Sequence, residues 1–371
     1  MTASPIPFNE FRREPETLIQ AQLQATEAVL RSGWWILGQK VKAFEEAWAQ
    51  RCGTTGVVGV ANGLDAIEIG LRALGIGPGD EVITTALTAY ATTLAIQRCG
   101  ATPVFADIAP ATACLDPASV ERCLSSASRA VVVVHLYGRA AELDALLHFC
   151  QAHGLALVED CAQAHGAVYR GRPVGSIGTF GAWSFYPTKN LGTIGDAGAV
   201  SSSNLDLLCN ARQLRNYGQS DRYHHVRAGM NSRLDEVQAA ILLQRLPYLQ
   251  RWTDRRRDIA ERYWRELLQS DLELLERPMD PKSHVHHLFV VRCRTGRREA
   301  IQQQLTDAGI STLIHYPIPC HHQQALGGHR LDPMGLRATE LHCNQCLSLP
   351  IHPFLSDDEV SQVINACNQV K

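Results

Sequence analysis

The sequence predicts an α/β fold, a mainly parallel sheet covered by helices on both faces, followed by a smaller α+β domain. Three observations carry this. Short apolar runs (VVGVA, EVITT, TPVFADI, AVVVVHLYG, LALVED) alternate with stretches of helical periodicity through the first half of the chain. A long helical region, SRLDEVQAAILLQRL and then RWTDRRRDIAERYWREL, interrupts that alternation, and beyond it strands and helices mix over a shorter stretch. With 371 residues, 45% of them apolar, the chain can bury more than one core, and the division is placed after Pro247: a large domain over 1–247 and a small one over 248–371.

Taken in order, residues 15–31 read as a helix with Leu18, Ile19, Leu23 and Val29 along one side, until Gly33 and Gly38 break the pattern; a second helix covers 41–52. Residues 57–61 form a strand, and the next helix begins near Leu64 with Asn62 or Gly63 at its N-terminus. Such a junction suits an anion, because free backbone N–H groups and the positive end of the helix dipole face outward and Gly63 permits close approach. No Walker motif or GxGxxG accompanies it, so neither ATP nor NAD is indicated. EVITT is a strand, followed by a helix whose first residues include Tyr90; helices over 120–124 and 142–153 separate the strands TPVFADI, AVVVVHLYG and LALVED. Asp160 closes the last of these, at the carboxyl end where parallel sheets bind ligands, although capping the next turn is its plain alternative.

A helix over 205–214 runs into the polar loop RNYGQSDRYHHVRAGMN, and Pro247 ends or kinks the amphipathic helix that follows. The arginines of RWTDRRRDIAERYWREL read as a solvated face, and the helical region as a hinge. HHLFVVR, STLIHYP and LSLPIHP read as strands of the small domain, with helices over 299–308 and 357–370.

A net charge of -2 gives no basic field, which argues against nucleic acid or an anionic membrane as partner and leaves small molecules. No apolar run approaches ~18 residues and the N-terminus is acidic and proline-bearing, so no membrane segment and a cytoplasmic location are expected. Twelve cysteines lie in apolar surroundings without framework spacing and read as reduced core thiols. Cys343 and Cys346, with Cys320, His321 and His322 upstream, could be drawn as a zinc site, but a lone CxxC lacks its matching pair, so packing is the default and no metal is expected.

Of 35 basic residues only five are lysines, and Lys189 lies in the aromatic segment TFGAWSFYPTKNLG. Arginine is always charged, whereas a lysine desolvated among Phe180, Trp183, Phe185 and Tyr186 can lose its proton and condense with a carbonyl; an ordinary buried-edge ammonium is the alternative. The strand-end carboxylate of Asp160, a lysine 29 residues later and a helix N-terminus able to hold a phosphate together match what pyridoxal 5'-phosphate requires: an amine for its aldehyde, a carboxylate for its ring nitrogen, and donors for its phosphate.

VGVANGLDAI, ALGIGPGDEVI, VEDCAQAHGA, SFYPTKNLG, GDAGAV, GMNSRLDEVQAA and IHYPIP resemble, in order, the motifs of the DegT/StrS family of sugar aminotransferases, a branch of the aspartate-aminotransferase-like fold (fold type I). The resemblance implies that Lys189 condenses with the cofactor and Asp160 pairs with its pyridinium nitrogen. Gln163 would bond the phenolic oxygen and Tyr90 stack on the ring. Gly63, Leu64, Ser184 and, from a second subunit, Asn231 would hold the phosphate, which implies a homodimer with shared active sites. It further implies transfer of nitrogen from L-glutamate, through pyridoxamine phosphate (PMP), to a keto group of a nucleotide-linked sugar. IHYPIPCHHQ and the loop NYGQSDRYHH resemble members that aminate carbon 3 of dTDP-linked 3-keto-6-deoxyhexoses, with Tyr186, Tyr223, His315 and Tyr316 lining the sugar pocket. On its residues alone, His315 reads equally as a core histidine. Cys320 and His322 depart from the family pattern, where proline or a small residue and leucine are frequent. Alternatives are a nucleotide-sugar 4-aminotransferase, a glutamine-dependent aminocyclitol aminotransferase, a sugar dehydratase, which would carry histidine in place of Lys189, and a non-catalytic regulatory protein.

Overall fold

The computed structural model describes residues 5–268 and 271–370. Helices α1 (Glu16–Ser32) and α2 (Gln39–Cys52) come first, separated at Gly33, whose φ of 65° ends α1 in the left-handed region that glycine tolerates. The start of α2 has no side-chain cap of its own. The buried carboxylate of Glu236 takes its place, accepting from the amides of Gly38, Lys40 and Val41 at 2.9, 2.9 and 2.8 Å.

The alternating unit follows: β1 (Gly56–Val60), α3 (Gly63–Ala73), β2 (Glu81–Thr85), α4 (Tyr90–Arg98), β3 (Thr102–Ala106), α5 (Pro117–Cys123), β4 (Ser128–Val134), α6 (Leu143–His153) and β5 (Ala156–Asp160). A small hairpin, β6 (Val168–Tyr169) with β7 (Arg172–Pro173), leads to β8 (Phe180–Ser184), β9 (Gly198–Ser202) and α7 (Leu205–Leu214). A second hairpin, β10 (Gln219–Asp221) with β11 (His224–His225), precedes α8 (Glu236–Arg245) and α9 (Leu249–Glu266). The rest comprises β12 (Leu272–Leu274), β13 (Phe289–Cys293), α10 (Arg298–Asp307), β14 (Arg330–Leu331), α11 (Arg337–Gln345), β15 (Cys346–Leu349) and α12 (Asp357–Gln369).

The large sheet has the order β1-β9-β8-β5-β4-β2-β3-β14. Strand β9 is antiparallel to both its neighbours, and every other pairing is parallel. The carboxyl ends of β1, β2, β5 and β8 therefore lie along one edge, joined there by the first residue of β9, because Gly198 pairs with both Val60 and Ser184. The run AVVVV is apolar at every position because both faces are covered. Val131 and Val133 enter the core under α2, α6 and α8, while Ala130 and Val132 enter the core under α3, α4 and α7.

Strands β8 and β9 are not signalled by an aliphatic run. FGAWS and GAVSS keep glycine where backbones meet: a Cβ on Gly181 would stand 2.6 Å from the Cα of Gly175. The expected strand STLIHYP does not form. It makes a single bridge, Leu313 with Ser348, and Pro317 and Pro319 remove the donors that a longer ladder would need.

A separate core joins Ile259, Ala260 and Tyr263 of α9 to Phe289, Leu347 and Ile364. Leu249, at the start of α9, belongs to the core of the large sheet, and the 3-10 turn Leu246–Tyr248 containing Pro247 separates α8 from α9. We propose position 247/248 as the domain division, with two segments crossing it: Ile6, which bridges to Ile310, and β14, which returns to pair with β3. Among the described residues no helix is long and apolar enough to cross a membrane.

Candidate active site

Asp160 ends β5 almost fully buried, and its carboxylate accepts from Thr92 Oγ1 at 2.8 Å and from the amide of Ala162 at 3.1 Å. Thr92 is placed by the first turn of α4, where its hydroxyl also lies 3.0 Å from that of Thr88. Burial pushes the Asp160 carboxyl above its ordinary range, while the two donors and the charge of Lys189 pull it back without cancelling the shift. Glu159 precedes it and, as strand alternation requires, serves another purpose. It accepts from the amides of Gly175, Ile177 and Gly178 and lies 3.0 Å from His135 Nε2. Burial would raise this carboxyl too, but His135 and the backbone donors outweigh it and hold it low.

Lys189 follows β8 in a turn closed by its own amide donating to the carbonyl of Tyr186 at 2.9 Å. Its neighbour Asn190 fixes that turn, donating from Nδ2 to the carbonyl of Val285 at 2.9 Å and meeting His287 Nδ1 at 3.2 Å. Burial lowers the ammonium from 10.5 to about 8, against the opposing pull of Asp160. Of the four aromatics expected to desolvate it, only Tyr186 lines its cavity. Trp183 and Phe185 pack against Trp48 and His165 in one core, and Phe180 belongs to the other.

Lys189 and Asp160 open into a cavity of about 380 Å³ whose wall includes Gly63, Leu64, Ser184 and Tyr186. At the start of α3, Asn62 takes the amide of Asp65 on its side chain at 2.8 Å and that of Ala66 on its carbonyl at 3.1 Å. The amides of Gly63 and Leu64 are left without a partner among the described residues. The space in front of them exists because side chains are missing. A Cβ on Gly63 would stand 2.6 Å from Ser184 Cβ, and one on Gly198 would stand 2.3 Å from the carbonyl carbon of Asn62. Two free amides at a helix N-terminus beside a serine hydroxyl fit a phosphate. Arg98 also lines the cavity, but it is held by Glu68 at 2.8 Å and Asp65 at 3.5 Å.

Gln163, Tyr316 and His315 are tied into one network. The Gln163 side chain accepts at Oε1 from the amide of Tyr137 at 2.6 Å, and its Nε2 donates to the Tyr316 hydroxyl at 3.1 Å. The Tyr137 hydroxyl donates to the carbonyl of His315 at 2.5 Å and lies 3.0 Å from His342 Nε2. His315 Nδ1 is 2.8 Å from Ser348 Oγ, and its ring stacks on Phe8 at 5.7 Å. Burial, with the charge of Lys189, lowers His315 to about 4, so the ring is neutral at neutral pH. Burial and the charge of Asp160 push the Tyr316 phenol up.

Six residues singled out in the sequence are not on the cavity wall: Gln163, His315 and Tyr316 stand in the network just described, and Tyr90, Asn231 and Tyr223 lie elsewhere. Tyr90 packs against Ala86, Phe105, Cys320 and Leu336, with its hydroxyl 3.3 Å from Gln97 Oε1. Asn231 is exposed and bridged to Asn216, and Tyr223, 77% exposed, sits between β10 and β11. Sequence reasoning missed Thr92, Tyr137 and Asn190. Thr92 carried a readable signal, a hydroxyl in the first turn of a helix opening at a strand's carboxyl end; the other two act through contacts that span the chain.

What this edge of the sheet offers is what an aromatic aldehyde bearing a phosphate needs, and it places the protein among the enzymes that work with pyridoxal phosphate. The chain belongs to the DegT/DnrJ/EryC1/StrS aminotransferase family, which it matches over residues 16–368, the family its motifs resemble. It is 43% identical over 364 residues, 98% of this chain and 99% of the other, to the dTDP-3-amino-3,6-dideoxy-alpha-D-galactopyranose transaminase of Aneurinibacillus thermoaerophilus. The crystal structure of DesV from S. venezuelae superposes with a TM-score of 0.94 at 42% identity, covering 99% of this chain and 98% of that one. That of NtdA from Bacillus subtilis, with bound cofactor PMP, gives 0.91 at 30% identity, covering 99% and 85%.

Proposed function

We propose that this aminotransferase moves the amino group of L-glutamate to the 3-keto group of a dTDP-linked 3-keto-6-deoxyhexose. The observation that carries the reading is the lowered Lys189 amine opening, with Asp160, onto a cradle shaped for a phosphate. The choice of sugar is supported by the A. thermoaerophilus relative.

Bound pyridoxal phosphate supplies a carbonyl that takes up the donor's nitrogen and a ring that accepts electrons. The chain does the rest. The amides of Gly63 and Leu64 and the Ser184 hydroxyl hold the phosphate. Thr92 and Ala162 aim Asp160, whose carboxylate, raised by burial, is stabilised by an adjacent positive ring nitrogen. Gln163 keeps one N–H on Tyr316 and has a second for the phenolic oxygen. Lys189, whose amine burial lowers to about 8, takes a proton from the donor's alpha carbon and returns it to the acceptor side. Tyr186, Tyr316 and the neutral His315 flank the space for the sugar.

The same reading takes the working unit as a homodimer in the cytoplasm. Next to Lys189, Pro187 lines a second cavity of about 430 Å³ with Phe11, Leu23 and Ile194, and both Leu23 and Ile194 are largely exposed in the single chain. A second subunit covering this surface would bring Asn231 and Tyr223 to its neighbour's site, and Tyr90 would reach the ring only by turning from Gln97. Mixing Lys189→Ala with Asn231→Ala protein should restore part of the activity; no recovery would point to a self-contained site. A panel of dTDP-, UDP- and GDP-linked 3- and 4-keto sugars and keto-inositols, offered with glutamate or glutamine, tests the substrate. The expected product carries its new amine on carbon 3 of a dTDP sugar. An amine on carbon 4, or on a cyclitol with glutamine as donor, would replace the reading.

A further inference from the structure

The chain that leaves Tyr316 enters a single 3-10 turn, Cys320–His322, pinned to the sheet by the amide of Cys320 donating to the carbonyl of Ala86 at 2.9 Å. On this turn two adjacent histidines approach one carboxylate oxygen. His321 Nε2 is 3.2 Å and His322 Nε2 is 3.8 Å from Oε1 of Glu340, which stands on α11. The two rings are 4.0 Å apart, and one donor atom from each of the three residues lies within 4.8 Å of the other two. Ligand atoms about 2.1 Å from a shared ion in tetrahedral geometry are about 3.4 Å from one another, so little movement would bring these three onto one ion. Among the described residues no lysine or arginine pairs with Glu340; imidazoles alone face its negative charge.

We propose that His321, His322 and Glu340 form a binding site for one divalent first-row transition-metal ion, distinct from the cofactor cavity. Two imidazole nitrogens and one carboxylate oxygen are a donor set for zinc, cobalt or nickel rather than magnesium or calcium, and the remaining positions go to water. The cysteines are not part of it: Cys346 Sγ lies near the carbonyls of Tyr316 and Cys343, and both Cys343 and Cys346 are buried.

The other group of the right residue types shows what a closed cluster looks like. In His135, Glu159 and Cys161, both Glu159 oxygens accept backbone amides, and His135 Nδ1 accepts from Ala141, so its Nε2 must carry the proton it gives to Glu159. The facing atoms of His135 and Glu159 are thus already committed within the protein. His321, His322 and Glu340 carry no such backbone claims on their facing atoms. Glu340 is on the helix that also presents His342 to Tyr137, and His322 follows the segment that carries His315 and Tyr316. A bound ion therefore staples the turn after the sugar-side residues to α11, which is a structural role rather than a catalytic one.

The test uses the untagged holoenzyme, freed of metal with a chelator and equilibrated by dialysis with Co²⁺ alone, the bound metal being counted by elemental mass spectrometry. Saturation at one ion per chain is expected, with His322→Leu and Glu340→Gln each weakening it at least about tenfold. The thermal midpoint should rise with Co²⁺ in the wild type and not in the variants. The His322 side chain is 55% exposed, so His322→Leu leaves the metal-free midpoint unchanged and carries the comparison even if Glu340→Gln is destabilised. Absence of saturable binding, or binding that both substitutions leave untouched, would overturn the site.

Discussion

Replacing Lys189 with methionine should stabilise the cofactor-free protein at neutral pH and remove a pH-dependent part of its stability. The amine titrates at about 8 in the folded chain against 10.5 as the ordinary value, a difference of about 2.5. At about 1.4 kcal/mol per unit, keeping the ammonium in its desolvated place costs on the order of 3 kcal/mol. The sign follows from which state holds the proton. Below about 8 both folded and unfolded chains are protonated and the full cost applies; between about 8 and 10.5 only the unfolded chain is, so wild-type stability rises with pH; above 10.5 the cost is gone. Buried cysteines such as Cys99 and Cys367, pushed up to about 12, act in the opposite direction, but they are common to both proteins and cancel in the difference. Urea unfolding of cofactor-free wild type and Lys189→Met, at one protein concentration and at several pH values between 7 and 10.5, reads the difference. The two stabilities should converge by on the order of 3 kcal/mol as pH rises. Parallel curves would refute the claim that burial lowers this amine.

Thr92→Val deletes the 2.8 Å hydrogen bond to Asp160 and leaves the carboxylate as buried as before. Its pKa should rise further, turnover should fall about 10- to 100-fold, and the acid limb of the pH–rate profile should move to higher pH. Gly63→Ala drives a methyl to within 2.6 Å of Ser184 Cβ, so cofactor affinity measured by equilibrium dialysis should drop about tenfold or more while the circular dichroism spectrum is kept. Glu159→Gln breaks a fully buried pair with His135 and, in either orientation of the new amide, sets its N–H₂ against one or two of the three backbone donors; it should cost about 3–5 kcal/mol in unfolding free energy. An unaltered midpoint in that variant would mean the pair is not what fixes β5.

How far the fold was readable depended on whether a segment's residues serve burial or approach. Val131 to Val134 are apolar because the sheet is covered on both faces, so β4 could be read directly. Strands β8 and β9 lie in the same sheet, but Gly181 and Gly198 are there to let backbones meet, and the hydrophobic pattern is lost with them. The segment 311–317 has strand-like residues and no strand, because prolines on its far side and the bond from His315 to Ser348 commit it elsewhere. The site divides in the same way. Lys189, Asp160, Gly63, Leu64, Ser184 and Tyr186 surround one cavity because each follows or ends a strand at the same edge, and strand ends are visible in sequence. The link from Gln163 through Tyr316 and Tyr137 to His342 joins residues up to 205 apart, and nothing in local pattern announces it. Asn231 and Tyr223 lie outside the cavity of their own chain, so any part they play belongs to an assembly that one chain's pattern does not encode.

The central claim is that the Lys189 amine is the group that condenses with the cofactor's carbonyl. Borohydride reduction of the purified yellow protein, followed by peptide mass mapping, tests it most directly. The peptide containing Lys189 should carry a pyridoxyl phosphate group, and Lys189→Ala should carry none; the same group found on Lys40, Lys42, Lys282 or Lys371, or retained in the variant, would contradict the account.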